Sequence, residues 1–164
     1  MTTALLIPPR SLAVSCQARA DNPLHGPVFM AAMAQAAEQG GARALRANGP
    51  ADIAAIRAVS RLPIIGILKR WDDRFPVYIT PDFASAAAIA AAGADIIALD
   101  ATDRPRDGEP LAEAVPVPIV AEGRFEQPEQ LEVAFAAGAH AVVVGTAITN
   151  PREITRRFAR HAGA

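Results

Sequence analysis

The chain has almost none of the features that mark disulfide scaffolds, cysteine-rich metal sites or membrane spans. Cys16 is the only cysteine among 164 residues, so no internal disulfide is possible. No apolar run reaches the roughly 18 residues of a transmembrane helix, and no basic segment precedes the short apolar stretch at 1–10, which argues against a signal peptide. The net charge of −1, with both signs interspersed, offers no basic patch for nucleic acid. We therefore expect a cytoplasmic protein that binds neither membranes nor nucleic acid.

Several catalytic motifs are missing as well. The sequence has no phosphate-binding P-loop, no dinucleotide glycine motif and no Gly-x-Ser-x-Gly nucleophile elbow. It has no His, Cys and carboxylate cluster at metal-ligand spacing, so we expect no metal and no cofactor. What it does have is 51% hydrophobic and 20% charged residues, enough to bury a core. The length fits one domain, 1–164.

Apolar segments alternate regularly with helix-like segments along the chain. The predicted strands are 12–16, 42–46, 63–69, 95–99, a run from 117 that ends at Glu122, and 141–144. Predicted helices lie between them, including 27–39, 50–59, a third capped by Thr80 with Pro81 at its first position, 108–114, 126–137 and one from Asn150 onward. Helices that stop at glycine and lead into a buried apolar strand indicate repeated βα units. The pattern predicts an all-parallel α/β fold of about six units.

Every predicted strand ends in polar residues. They are Gln17; Arg46 with Asn48; Lys69; Asp100 with Thr102; Glu122 with Gly123 and Arg124; and Gly145 with Thr146. The carboxyl ends of parallel strands meet on one rim, where α/β proteins bind ligands. The sequence therefore predicts one shared site, although charged strand exits without function are also common.

The candidates for proton transfer are Lys69 and a carboxylate, either Glu122 or Asp100. A lysine among apolar neighbours and other cations can have its pKa lowered enough to act as a base. Lys69 could instead be a Schiff-base nucleophile or a salt-bridge partner of Glu122. Backbone amides at Gly123 and at Gly145 suit a phosphate. The residues alone thus favour cofactor-free proton transfer on a phosphorylated small molecule.

Other polar residues give weaker signals. His25 lies in a loop near the predicted rim, where an ordinary loop histidine is the simpler interpretation. We expect structural or solvated roles for His140 and His161, a small buried thiol at Cys16, and a solvated helix face for Arg156, Arg157 and Arg160.

Seven motifs, in order, resemble the N-acetylmannosamine-6-phosphate 2-epimerase family across nearly the whole chain. They are VSCQ at 14–17, RANG at 46–49, IIGILK at 64–69, VYITP at 77–81, ADIIALDAT at 94–102, IVAEGR at 119–124 and GAHAVVVG at 138–145. The resemblance implies a cofactor-independent (β/α)8 TIM barrel that interconverts N-acetylmannosamine 6-phosphate and N-acetylglucosamine 6-phosphate in sialic-acid catabolism.

The resemblance also implies roles for individual residues. Lys69 would remove and return the C2 proton of the open-chain sugar, while Glu122 would orient the sugar and relay protons. Gln17 and Arg46 would line the sugar pocket. The phosphate would be held by Gly123, Arg124, Gly145 and Thr146.

The chain departs from this family in its length, because an eight-unit barrel takes about 250 residues. The family has fifth and sixth βα units between ADIIALDAT and IVAEGR, where only 103–117 remain here. The fifth strand of the family supplies an aspartate to the sugar site, and no residue here matches it. We therefore expect a barrel-like fold shortened to six units, closed or open, and a homodimer that covers the exposed surface. A degenerate phosphosugar-binding protein and a lyase or isomerase using Lys69 covalently remain alternative functions.

Overall fold

A computed structural model describes residues 6–72, 75–98, 120–122, 125–136 and 139–161. Its strands are β1 (Ser11–Cys16), β2 (Ala44–Asn48), β3 (Ile64–Ile67), β4 (Lys69–Asp72), β5 (Phe75–Ile79), β6 (Ile96–Ile97), β7 (Val120–Glu122) and β8 (Ala141–Val144). Its helices are α1 (Pro27–Gln39), α2 (Pro50–Val59), α3 (Phe83–Ala91), α4 (Glu129–Ala136), α5 (Thr146–Thr149) and α6 (Pro151–Ala159). The predicted helix at 108–114 and the end of the predicted fourth strand lie outside the described residues.

Six strands form one sheet in the order β6-β3-β2-β1-β8-β7. Every neighbouring pair in it is parallel, as the alternation of strands and helices predicts. This is the strand order of a barrel opened between β6 and β7. Within the described ranges those two strands are the sheet edges, so the sheet is open. The opening lies at the region where the sequence predicts the shortening.

The two faces of the sheet bury different groups of side chains, because alternate residues of a strand point to opposite faces. One face packs Val14, Leu45 and Ile64 against helix residues that include Met30, Ile53, Ile56 and Ile89. The other face packs small and branched residues against one another, among them Ala13, Ala44, Ile65 and Val143. The second face is the barrel interior. Ser15 and Arg46, which are two residues further along their strands, continue it toward the carboxyl rim.

Gly66 allows the helical layer to approach β3 closely. A Cβ built on Gly66 would lie 2.6 Å from the Cβ of Ala94 and 3.2 Å from the Cδ1 of Ile53. Carbon atoms in ordinary contact are about 3.5–4.0 Å apart. The glycine is therefore required by packing, and it fixes the height of the segment between α3 and β6 above the sheet.

The predicted third strand, 63–69, is shorter in the structure. β3 ends at Ile67, and Lys69 begins a separate antiparallel hairpin in which it pairs with Ile79. The sequence suggests a loop after the third strand with a short extended piece at 77–79; that piece lies within β5, but the loop prediction is wrong for 70–72, which belong to β4. The hairpin returns to the sheet at Thr80, whose N–H donates to the carbonyl of Leu68 (2.8 Å) while its hydroxyl accepts from the Leu68 N–H (3.1 Å).

Thr80 does not cap the third helix, contrary to the prediction. It has a positive φ of 49° and its hydroxyl is used by the hairpin closure. Asp82 is the N-cap instead, and its carboxylate accepts from the Ser85 N–H at 2.7 Å. Aspartate is among the preferred N-cap residues, so the sequence contained the correct signal two positions later.

Among the residues that the structure describes, no helix is long and apolar enough to cross a membrane.

Candidate active site

A cleft of about 750 Å³ opens at the carboxyl ends of the parallel strands. Seven of the predicted site residues line it, namely Gln17, Arg46, Asn48, Lys69, Glu122, Gly145 and Thr146. Asp100, Thr102, Gly123 and Arg124 lie outside the described residues. The predicted convergence on one rim therefore holds for every predicted site residue that the structure describes.

An ion pair between Arg46 and Glu122 crosses the interior of the cleft. The Arg46 Nη1 lies 2.8 Å from the Glu122 Oε1, and the two side chains are 5% and 47% exposed. β2 and β7 are three strands apart in the sheet, about 14 Å if the sheet were flat. Side chains perpendicular to a flat sheet would not meet over that distance. The sheet must therefore curve around the cleft in the manner of a barrel, even though it is open.

Lys69 lies at the mouth of the same cleft, at the start of β4. Its backbone N–H donates to the Asn48 side-chain oxygen at 2.8 Å, which ties the hairpin to the end of β2. Burial lowers the pKa of Lys69, and the positive charges of Arg46 and Arg19 lower it further, while Glu122 acts in the opposite direction. A larger fraction of this amine is neutral near physiological pH than of a free lysine, which suits a base.

Arg46 is the most buried charge in the cleft. Burial lowers its pKa while Glu122 raises it, and a guanidinium keeps its charge in proteins regardless. Its Nε has no hydrogen-bond partner within the described residues. The guanidinium is thus a fixed cation beside the carboxylate of Glu122, and one of its donors is buried without a described partner.

Ser15 connects several parts of this site, which sequence reasoning missed. Its hydroxyl accepts from the Gln17 Nε2 at 2.6 Å and from the Arg46 Nη1 at 3.4 Å. Its backbone carbonyl accepts from the Thr149 hydroxyl at 2.9 Å, and Thr149 also bonds the Gly145 carbonyl at 3.1 Å. In the sequence only its spacing from Gln17 pointed to Ser15, because its place beside Arg46 is set by the strand register.

The end of β8 provides the predicted phosphate side of the cleft. Gly145 leads directly into α5, and Thr146 is the first residue of that short helix. A Cβ on Gly145 would contact the Ser15 Cβ at 3.5 Å, so the two strand ends lie close together. Backbone amides and the Thr146 hydroxyl here suit an anion by their chemistry.

The terminal helix contributes more than the predicted solvated face. Arg157 and Arg160 line the cleft; Arg160 is exposed, as predicted, while Arg157 is half-buried. Arg156 pairs with Glu153 at 2.8 Å on the surface, as expected. The one-dimensional pattern of the helix could not show this, because a positive face looks the same whether it borders solvent or an open cleft.

Asp52 is a second carboxylate that the sequence reasoning did not single out. It lines the cleft from the first turn of α2. Burial raises its pKa, and His25 lowers it by a smaller amount.

The remaining predictions concern residues outside the chemistry. His25 is exposed and is not among the residues lining the cleft, and His140 contacts the Ile7 carbonyl at 2.7 Å, a structural role. His161 follows α6 at the surface. Cys16 is fully buried, and burial raises its pKa to about 12, so it is the inert thiol expected.

The comparisons with known proteins all return proteins described by the same enzyme name. A family model described as "Putative N-acetylmannosamine-6-phosphate epimerase" matches residues 30–116 and 109–164. Two proteins named "Putative N-acetylmannosamine-6-phosphate 2-epimerase" are similar to the chain. The one from Caldanaerobacter subterraneus is 38% identical over 210 residues, covering 90% of this chain and 89% of that protein. The one from Thermosynechococcus vestitus is 48% identical over 151 residues, covering 88% of this chain and 64% of that protein.

A solved structure is similar over almost the whole fold. It is the N-acetylmannosamine-6-phosphate 2-epimerase from Clostridium perfringens, with a TM-score of 0.86 and 33% identity, covering 98% of this chain and 97% of that chain. The family match breaks into two segments at 109–116, within the region where the sequence places the shortening. The strand order, the curved interior and these matches together show that the chain belongs to the N-acetylmannosamine-6-phosphate 2-epimerase family.

Proposed function

We propose that the chain interconverts N-acetylmannosamine 6-phosphate and N-acetylglucosamine 6-phosphate by moving the proton at C2. The observation that carries this proposal is the meeting of Lys69, Arg46 and Glu122 in one cleft of a chain that belongs to this epimerase family. Lys69 offers an amine with a lowered pKa. In the open-chain sugar, the C2 proton lies next to a carbonyl, so its removal produces an enolate.

Each charged group has a definite part in this chemistry. Neutral Lys69 takes the C2 proton and then returns it to either face of the planar intermediate. Arg46 offers a buried positive charge where the enolate oxygen gains negative charge, and such fixed charges stabilise transition states strongly. Glu122 orients the substrate and relays protons. Gly145 and Thr146, with Gly123 and Arg124, hold the phosphate, and Gln17, Asn48, Asp100 and Thr102 contact the sugar.

The test is exchange of the C2 hydrogen with solvent deuterium, followed by proton NMR on N-acetylglucosamine 6-phosphate. We expect exchange by the wild type, and its loss in Lys69→Ala by at least about a hundredfold, as for removal of a general base. Arg70→Ala is the matched control. It removes the neighbouring cation, which is exposed and pairs with Asp82 at 3.2 Å, and it should retain activity. Sugar-phosphate binding by calorimetry without any exchange would contradict the proposal.

We also propose that the chain acts in the cytoplasm as a homodimer. The open sheet and several exposed large apolar side chains, such as Phe83 at 87% and Val133 at 70%, support a covered surface. Light scattering at micromolar concentration measures the mass directly. A monomeric mass would contradict the dimer.

A further inference from the structure

We propose that Ser15 is a positioning residue, whose hydroxyl holds the Gln17 amide and the Arg46 guanidinium in register for proton transfer. This inference rests on the proposed function, since it assigns a role within the same cleft. The Ser15 side chain lies on the interior face of β1, beside Arg46 of β2, and the residue is 6% exposed.

The hydroxyl oxygen has two acceptor lone pairs, and two donors from different elements point at it. Gln17 follows β1 and donates through Nε2 at 2.6 Å, while Arg46 donates through Nη1 at a longer 3.4 Å. The same Arg46 nitrogen forms the ion pair with Glu122, 2.8 Å from its Oε1. Ser15 therefore connects the neutral amide on one side of the cleft with the ion pair that crosses it.

The geometry gives each donor a defined orientation. With its NH₂ group bonded to Ser15, Gln17 keeps its amide oxygen available as an acceptor for a hydroxyl or N–H of the sugar. With its Nη1 bonded to Ser15 and paired with Glu122, the guanidinium of Arg46 is held from two sides. The Arg46 Nε is buried and has no partner among the described residues, so its N–H signal reports on how the guanidinium is held.

The backbone of Ser15 is anchored independently of its hydroxyl. The Thr149 hydroxyl bonds the Ser15 carbonyl at 2.9 Å, and β1 pairs with β2 and β8 on both sides. Removing the side-chain oxygen should therefore change the alignment of Gln17 and Arg46 without unfolding the strand. This separates a positioning role from a structural one.

The experiment compares Ser15→Ala, Ser15→Cys and Ser15→Thr. Alanine removes the acceptor, cysteine keeps the shape with a weak acceptor, and threonine keeps the hydroxyl on a strand-favouring side chain. Ser11→Ala is the matched control, because Ser11 is equally buried on the same strand but lies outside the cleft. Losing a hydrogen bond of this kind should lower kcat for C2 exchange roughly tenfold in Ser15→Ala and Ser15→Cys. Ser15→Thr should stay within about threefold of wild type, and Ser11→Ala should leave kcat unchanged.

A second measurement does not depend on activity. In protein labelled with ¹⁵N-arginine, the Arg46 Nε–H signal, assigned with Arg46→Lys, should shift in Ser15→Ala and stay in place in Ser11→Ala. Wild-type kcat in both Ser15→Ala and Ser15→Cys, or an unmoved Arg46 signal, would overturn the inference. If the wild type shows no C2 exchange, the proposed function fails, and the Arg46 signal still decides the role of Ser15.

Discussion

Replacing Gly66 with alanine tests whether the contact between β3 and the helical layer limits the stability of this fold. The added Cβ would be 2.6 Å from the Ala94 Cβ, about 1 Å closer than an ordinary carbon contact. Ala94 belongs to the backbone turn that enters β6, so it cannot rotate away. Overpacking of this kind costs about 1–3 kcal/mol, and we expect a loss of about 2 kcal/mol in the free energy of unfolding.

The clash has one main source, which makes a double-mutant cycle informative. Ala94→Gly removes the obstructing methyl and should cost about 1 kcal/mol by itself, mainly through greater freedom of the unfolded chain. In Gly66→Ala/Ala94→Gly the tightest remaining contact is the flexible Cδ1 of Ile53 at 3.2 Å. The double variant should therefore lose only about 1 kcal/mol in total, which gives a coupling energy of about 2 kcal/mol.

The assay is unfolding in guanidinium chloride followed by far-UV circular dichroism, provided that the transition is two-state. Gly40→Ala is the control, because Gly40 has φ −76° and ψ 0°, nearly the angles of Ala92 at the end of α3, and its added Cβ would meet only carbonyl oxygens of α1 at 3.3 and 3.4 Å. It should change the free energy of unfolding by less than about 0.5 kcal/mol. If the losses of the two single variants simply add in the double variant, close approach is not the reason for glycine at position 66.

Two further predictions concern titrating groups. Lys69 is the only lysine in the chain, so protein labelled with ¹⁵N-lysine gives a single Nζ signal. The pKa of Lys69 should rise in Arg19→Gln, which removes a nearby positive charge. It should stay constant in the control Arg43→Gln, because Arg43 is exposed just before β2. Burial raises the pKa of Cys16 from 9.0 to about 12, so as the pH rises unfolded chains lose the thiol proton before folded chains do. The free energy of unfolding should therefore fall between pH 9 and 12, relative to Cys16→Ala. Thiol reagents at pH 8 should label only unfolded protein.

Much of the fold followed from local patterns in the sequence. Apolar runs between glycine-terminated helices indicated the parallel strands, and the strand order agrees with a barrel opened at the shortened region. The bounds were less accurate. β2 runs from Ala44 to Asn48, two residues later than predicted. Asn48 is therefore the last residue of the strand, and its side chain accepts the Lys69 N–H.

The errors came from interactions between segments that are distant in sequence. Thr80 is a good N-cap candidate by residue type, but its backbone N–H and its hydroxyl both form hydrogen bonds with the backbone of Leu68. The β4–β5 hairpin pairs Lys69 with Ile79. The sequence there has no Asn-Gly or Asp-Gly pair, the usual signal of a short hairpin turn, so the hairpin was not predicted. Ser15 was missed because its importance depends on Arg46, a residue that is adjacent only through strand pairing.

The curvature of the sheet explains how a shortened chain can retain a site. Glu122 belongs to an edge strand of the described sheet, next to the region where the sequence predicts the shortening. Its carboxylate still reaches Arg46, three strands away, because the sheet curves. The interior face between them packs Ala13 of β1 and Ala141 and Val143 of β8. Lys69 reaches the same space through a different route, since its hairpin is held to β2 by Asn48. The charged groups therefore meet through contacts among strands that the structure describes, and each of these contacts joins described residues only.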